Sequence, residues 1–264
     1  MINFDRVADI YDATRGLPEG VDEAIADSIV AATNAGPGTR FLELGVGTGR
    51  IAAPLIRRGF PFTGVDISTQ MLDHLREKVG DVPTLTLIQG DITHLPLEAG
   101  SQDVIIAVHV FHLIKEWRKV LDEALRVLQP DGFFIYGGNV SPERLAGQGD
   151  YGRIRAEWAR LVREMGAAAS TRYAEWTDLQ EALTERGAYI ATYRPATWTR
   201  EFRPIDLIEA MHRRTFSASW NVPDAVVEPV HQKLLAWGEE TFGDLNAPLA
   251  EEEEFLIDVC RLNR

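Results

Sequence analysis

Residues 41–50 read FLELGVGTGR, an apolar run that carries one acid, Glu43, followed by Gly45, Gly47 and Gly49 at alternate positions. A turn stripped of side chains lets backbone approach a ligand closely, and a carboxylate beside it sets the charge that the ligand meets. Asp66 in GVDIS and Asp91 in QGDI are two further acids that close apolar segments. VHVFHLI adds His109 and His112, three apart and therefore on one face of a helical turn. A neutral imidazole near pH 7 can take a proton from a hydroxyl or amine; a structural role suits the same two residues.

Two ligands compete for the glycine turn. Gly47-Thr48-Gly49-Arg50-Ile51-Ala52 satisfies the G-x-G-x-x-G/A fingerprint of dinucleotide binding, which points to a nicotinamide-dependent oxidoreductase. A pyrophosphate on a helix N-terminus is poorly served by Glu43, two residues before Gly45. An acid there suits a ligand carrying an amine or a sulfonium charge.

Alternating strand and helix signals position these residues. Val21, Ala24, Ile25, Ile29 and Ala32 fall at helical spacing before Gly36-Pro37-Gly38. The pattern then predicts a strand over Phe41–Leu44, a helix from Arg50 to about Arg58 stopped by Gly59, a strand ending in Asp66, and a helix through TQMLDHLREKVG stopped by Gly80. TLTLIQGDI alternates as a third strand, and SQDVIIAVHVF is apolar throughout, as in a strand covered on both faces. EWRKVLDEALRVL carries Trp117, Val120, Leu121, Ala124, Leu125 and Leu128 on one stripe; Gln129–Gly132 reads as a turn and FFIYGG as a fifth strand. Such alternation argues for a parallel sheet with helices on both faces. Ligands of such sheets bind beyond the carboxyl ends of the strands, where Gly45–Gly49, Asp66, Asp91 and His109 fall.

The second half is less regular. YGRIRAEWARLVREMG and WTDLQEALTERG read as helices, and AYIATYRPATWTREF as a long strand that Pro195 confines to an edge or a bulge. A helix from Pro204 through Met211 and Phe216, an acidic helix around Leu234–Trp237 and a last strand through EEFLIDVCRL follow, with Glu251–Glu254 read as a solvated strand entry. Trp158, Tyr173, Trp176, Trp198, Phe216 and Trp220 are core residues by default, yet their motif-poor setting suits a flat or apolar small molecule.

Bulk properties narrow the partners. The chain has 264 residues, 45% hydrophobic and 25% charged, with net charge -13, so it repels phosphate backbones and nucleic acid is a poor partner, although Arg213 and Arg214 hint at local basic patches. Cys260 is the single cysteine, which excludes an internal disulfide and predicts a core thiol. MINFDRVADIYD is charged early and no window reaches the length of a membrane span. The expectation is a soluble, cytoplasmic protein with no membrane partner, acting as a monomer or homodimer.

From Glu43 to Gly49, E-L-G-V-G-T-G resembles the first motif of class I S-adenosylmethionine (SAM) dependent methyltransferases. Asp66 resembles the acid that takes both ribose hydroxyls in that family, Met71 the residue packed on the adenine, and Gly90-Asp91-Ile92 the G-D-A/I turn whose acid meets the adenine amino group. RVLQPDGFFIYG is similar to the family's RVLKPGG segment, with Asp131 in place of a glycine. FDRVADIYDATRG is similar to the opening of the type 11, quinone-biosynthesis-like group, in which Tyr11 and Arg15 match a segment that folds over SAM; Arg15 suits the methionine carboxylate, or is simply a surface helix end.

The resemblance implies an α/β, Rossmann-like, doubly wound and mostly parallel seven-stranded sheet, with an antiparallel last strand and helical insertions forming a cap. It implies one domain over 1–264: lid helices in 1–35, a SAM core in 38–140, acceptor-side elements in 141–250 and the last strand in 251–264. SAM would contact Tyr11, Arg15, Glu43, Leu44, Gly45, Gly47, Gly49, Asp66, Ile67, Met71, Gly90, Asp91, Ile92, Val108 and His109. His112 and His109 are the candidate bases, no metal is expected, and the product is S-adenosylhomocysteine. The methyl would pass by in-line displacement to a small-molecule acceptor. An oxidoreductase and a non-catalytic SAM-binding protein are the alternatives.

Overall fold

The computed structural model describes residues 4–142, 149–168 and 173–262. Seven strands form one mixed sheet: β1 Phe41–Leu44, β2 Phe62–Asp66, β3 Leu85–Gln89, β4 Gln102–Val108, β5 Leu128–Val140, β6 Ala188–Phe202 and β7 Leu249–Leu262, in the order β3-β2-β1-β4-β5-β7-β6. β1 to β5 pair in parallel, the last strand runs antiparallel, and helices cover both faces. The fold class expected from the sequence is the one observed.

The chain divides into two compact units. The first holds residues 4–138, 173–196 and 255–262; the second holds 139–142, 149–168 and 197–254.

In the first unit, β1 lies between β2 and β4, and all four of its residues are buried, as a central parallel strand requires. Leu42, Leu44, Ile105, Phe134 and Tyr136 share one core cluster with Trp117, Val120, Leu121 and Ala124 of the helix Trp117–Val127. Phe41 stacks on Phe62 at 6.1 Å between ring centres. The other helices of this unit are α1 Ala8–Arg15, α2 Val21–Thr33, α3 Ala52–Arg57 and α4 Thr69–Val79; Trp117–Val127 is α5 and Trp176–Glu185 is α7. Cys260 is buried, as its apolar neighbours predict.

One turn expected from sequence is folded into a strand. β5 begins at Leu128, and Gln129–Gly132 bulge within it, since Gln102 pairs with Leu128 while Val104 pairs with Phe133. Pro195 sits in β6, the edge strand of the sheet, where proline is best tolerated.

In the second unit, α6 Asp150–Glu164, α8 Pro204–His212 and α9 Asp224–Phe242 pack Ile154, Trp158, Leu161, Leu207, Ile208, Met211, Val230 and Leu234 into one core. Helix α8 ends at His212, so Phe216 lies beyond it. The acidic run is not a solvated strand entry: Glu251, Glu253 and Glu254 are buried in β7. Tyr151 N–H donates to Glu251 Oε1 at 2.7 Å, and Arg200 pairs with Glu253 at 2.8 Å, which offsets the cost of burying those charges. The aromatic residues of this half differ in their surroundings, and Tyr173 is exposed. Trp158 is in the core of this unit, whereas in the first unit the Trp176 indole N–H donates to Asp258 at 2.8 Å.

Candidate functional site

The site grows from the glycine turn between β1 and α3. Gly45, Gly47 and Gly49 all have positive φ, at 67°, 54° and 76°, a region that only glycine enters without strain. Their reasons differ. A Cβ on Gly45 would stand 2.9 Å from Val110 Cγ2, and one on Gly49 2.2 Å from Leu75 Cδ1, so both permit close packing. A Cβ on Gly47 would meet only Gly45 O at 4.0 Å; it would project into open space.

Asp66 is tied to this turn. Gly47 N–H donates to its Oδ2 at 2.9 Å and Ser68 N–H to its Oδ1 at 2.9 Å. Burial pushes the Asp66 carboxyl above its ordinary pKa, and the backbone N–H groups of Ser68, Gly47 and Ile67 oppose that shift. An ionised carboxylate has about four lone-pair sites, so roughly two remain for a ligand.

Glu43, on β1, is 3% exposed, and its Oε2 meets no hydrogen-bond partner among the described residues. Burial raises its pKa well above the usual carboxylate range; Arg50 works against the shift and Asp66 adds to it. An orphaned buried carboxylate oxygen is costly to maintain, and a cationic ligand group would relieve it.

Tyr11, Glu43, Gly45, Val46, Gly47, Thr48, Arg50, Ile51 and Val108 line a cleft of about 20 Å³. Helix α1 is latched over it. Thr48 Oγ1 donates to Asp12 Oδ1 at 2.5 Å, Lys78 Nζ pairs with Asp12 Oδ2 at 2.6 Å, and Arg50 donates to Arg15 O at 2.6 Å. Ser68 Oγ donates to Asp5 from the turn before α1. Small-molecule pockets measure hundreds of Å³, so the cleft under α1 is narrow by comparison.

The residues singled out from sequence separate into groups. Tyr11, Glu43, Gly45, Gly47 and Val108 meet in the cleft, with Asp66 one hydrogen bond away. Leu44 and Ile92 pack into the core, and Met71 is 2% exposed. The Arg15 guanidinium lies over the Tyr11 ring, 5.0 Å from its centre. Gly90 N–H donates to Asp66 O at 2.9 Å, which sets the turn after β3 beside the tip of β2. Asp91 accepts from Thr93 N–H at 2.8 Å, and Ile67 is half-buried. Burial acts to raise the Asp91 pKa, but the Thr93 N–H and hydroxyl hold it below the ordinary value.

His109, just past β4, has φ 55° and its ring fills the place of a Gly138 side chain, with Cε1 2.7 Å from where a Cβ would be. The His112 ring meets it edge-on at 6.5 Å, and His112 O accepts from Tyr173 N–H at 3.1 Å. Thr48, Arg50, Asp12 and Lys78 were missed by motif reading. Arg50 closes the FLELGVGTGR stretch itself, whereas the role of Asp12 depends on a contact 36 residues away.

Comparison with known proteins finds methyltransferases. A methyltransferase-domain family of type 11 matches residues 42–136. The chain is 31% identical over 153 residues to an uncharacterized methyltransferase of Mycobacterium tuberculosis, covering 58% of each. It is 33% identical over 133 residues to a demethylmenaquinone methyltransferase of Clavibacter sepedonicus, covering 50% of this chain and 54% of that one. The chain thus spans little more than half the length of these curated relatives. In fold it resembles the YcgJ protein of Bacillus subtilis, with TM-score 0.59, 18% identity, and coverage of 91% of this chain and 98% of that one.

Proposed function

From its place among the class I SAM-dependent methyltransferases of the type 11 group, we infer that this protein moves a methyl group from SAM to a small-molecule acceptor. The observation that carries the reading is the Oε2 of Glu43, which has no hydrogen-bond partner among the described residues and is buried beside a turn whose Gly47 opens onto free space. A sulfonium nucleoside with an amino-acid tail offers the positive charge that this oxygen lacks. A pyrophosphate brings negative charge to the same place.

Bound SAM supplies a methyl group already activated by a sulfonium. The residues of this chain hold and shield it. Asp66 keeps lone pairs for the two ribose hydroxyls while Gly47 and Ser68 fix its orientation. Glu43 faces the cationic end. Gly90-Asp91-Ile92 and Met71 are assigned to the adenine, and Tyr11 with Arg15 to the lid. Latching of α1 through Asp12 excludes water from the cleft.

His109 and His112 are assigned to the acceptor side. With an activated donor, alignment of acceptor and methyl supplies much of the rate, so an imidazole base adds to a reaction that positioning already favours. The acceptor is a small molecule in this reading; the acidic chain disfavours nucleic acid.

The test is the formation of S-adenosylhomocysteine from SAM in the presence of a panel of phenols, hydroquinones, amines and carboxylic acids. Turnover with a member of the panel supports the reading. Saturable SAM binding with no turnover on any member would instead support a non-catalytic SAM-binding protein.

A further inference from the structure

Far from the glycine turn in sequence, two helices of the second unit carry the same four-residue pattern: Glu209-Ala210-Met211-His212 on α8 and Glu228-Pro229-Val230-His231 on α9. Acid and imidazole three apart share one face of each helix. The two faces meet. His231 Nε2 lies 3.0 Å from Glu209 Oε1, and His212 Nε2 lies 3.0 Å from Glu228 Oε2, so each helix's histidine reaches the other's acid. The imidazole rings stack in parallel, 4.0 Å between centres and 1° between planes, so one ring must turn for both to aim a nitrogen at the same ion.

We propose that Glu209, His212 and His231 form a binding site for one divalent transition-metal ion, which clamps α8 to α9. One ligand atom from each of the three lies within 4.8 Å of the others. Two donors bound at 2.0–2.2 Å to one ion stand roughly 3–3.5 Å apart, so the existing 3.0 Å His231–Glu209 contact already has the span of two neighbouring ligands. Two imidazoles and one carboxylate are a donor set of zinc and of non-haem iron, and far from the all-oxygen sets of calcium and magnesium.

Two further features point to an ion. His231 is 9% exposed, so an ion on its Nε2 would be held away from bulk water. Glu228 supplies His212 with the carboxylate partner that ligating imidazoles keep, and Gln232 Nε2 in turn holds Glu228 at 2.9 Å. The side chain of His212 is 33% exposed, which leaves a path for an ion from solvent. Arg213, 3.6 Å from Glu209 Oε2, is the cation that an incoming ion displaces from that carboxylate.

The experiment is a titration of the full chain with zinc chloride followed by calorimetry, and with cobalt(II) followed by its visible absorption. The expected result is one ion per chain, with the cobalt spectrum of an imidazole-ligated site. His212→Ala should weaken zinc binding at least tenfold, and Glu228→Gln by about ten- to a hundredfold. His212 is partly exposed, so its variant should keep the wild-type circular dichroism; Glu209→Gln, nearly equal in shape, is the second variant and should also lose zinc. Affinity for S-adenosylhomocysteine should be the same in wild type and His212→Ala, which separates this site from the nucleoside site. Absence of saturable zinc binding, or equal binding in wild type, His212→Ala and Glu209→Gln, would overturn the proposal.

Discussion

Gly47 N–H donates to Asp66 Oδ2 at 2.9 Å, so the turn after β1 is tied directly to the acid that ends β2. Asp66→Ala removes both the anchor of the turn and the acceptor assigned to the ribose. Hydrogen bonds to a charged group are worth about 1.5–3 kcal/mol each, so SAM affinity should fall by a few kcal/mol at most. Calorimetry checks this, and an unchanged Kd would remove Asp66 from the ribose.

Two glycines of the same turn should fail in different ways. Gly47→Val points its side chain into open space, so the fold should survive the roughly 1–2 kcal/mol of left-handed strain while SAM binding is lost. Gly49→Ala places a methyl 2.2 Å from Leu75 Cδ1, so stability should fall by about 1–3 kcal/mol beyond that strain. Thermal denaturation beside ligand titration separates the two. Retained affinity in a folded Gly47→Val protein would mean that the turn does not touch the ligand.

Glu43 makes a pH prediction. Its folded-state pKa lies well above its unfolded value, chiefly through burial, so the folded protein holds the extra proton between the two values. Stability from this group is therefore present below the unfolded pKa, near 4.5, and is lost as pH rises toward the folded one. Glu43→Gln should flatten that decline and raise Tm at neutral pH, while weakening SAM binding. A variant that is no more stable at neutral pH than wild type contradicts the assignment of an unrelieved buried acid.

The α1 latch predicts kinetics. Asp12→Ala removes the contacts to Thr48 and Lys78 at once. Exposed ion pairs contribute about 0–1 kcal/mol, so global stability should hardly change. Stopped-flow measurement should show SAM entering and leaving several-fold faster. Unchanged rates would mean that α1 does not gate the cleft.

The sheet and the tips of β1, β2 and β4 were legible because period and glycine placement are local: Phe41–Leu44 is apolar throughout, and Gly45, Gly47 and Gly49 follow at once. Pro195 confined β6 to an edge or a bulge, and the strand lies at the edge. What escaped is non-local. Gln129–Gly132 read as a turn, but β4 continues beside it and draws it into β5 as a bulge. The Glu251–Glu254 run read as solvated because charge suggests surface; Arg200 and Tyr151, distant in sequence, make its burial tolerable. Gly138 had no evident reason until the His109 ring was found in the space a side chain would need. Likewise the two Glu-x-x-His patterns acquire meaning only when α8 and α9 face each other.

The most direct test of the central claim is calorimetric titration of the full chain with S-adenosylhomocysteine and, separately, with NAD. Saturable heat with one S-adenosylhomocysteine per chain, absent in Gly47→Val, and no heat with NAD is the predicted result. Uptake of NAD with no response to S-adenosylhomocysteine would contradict it.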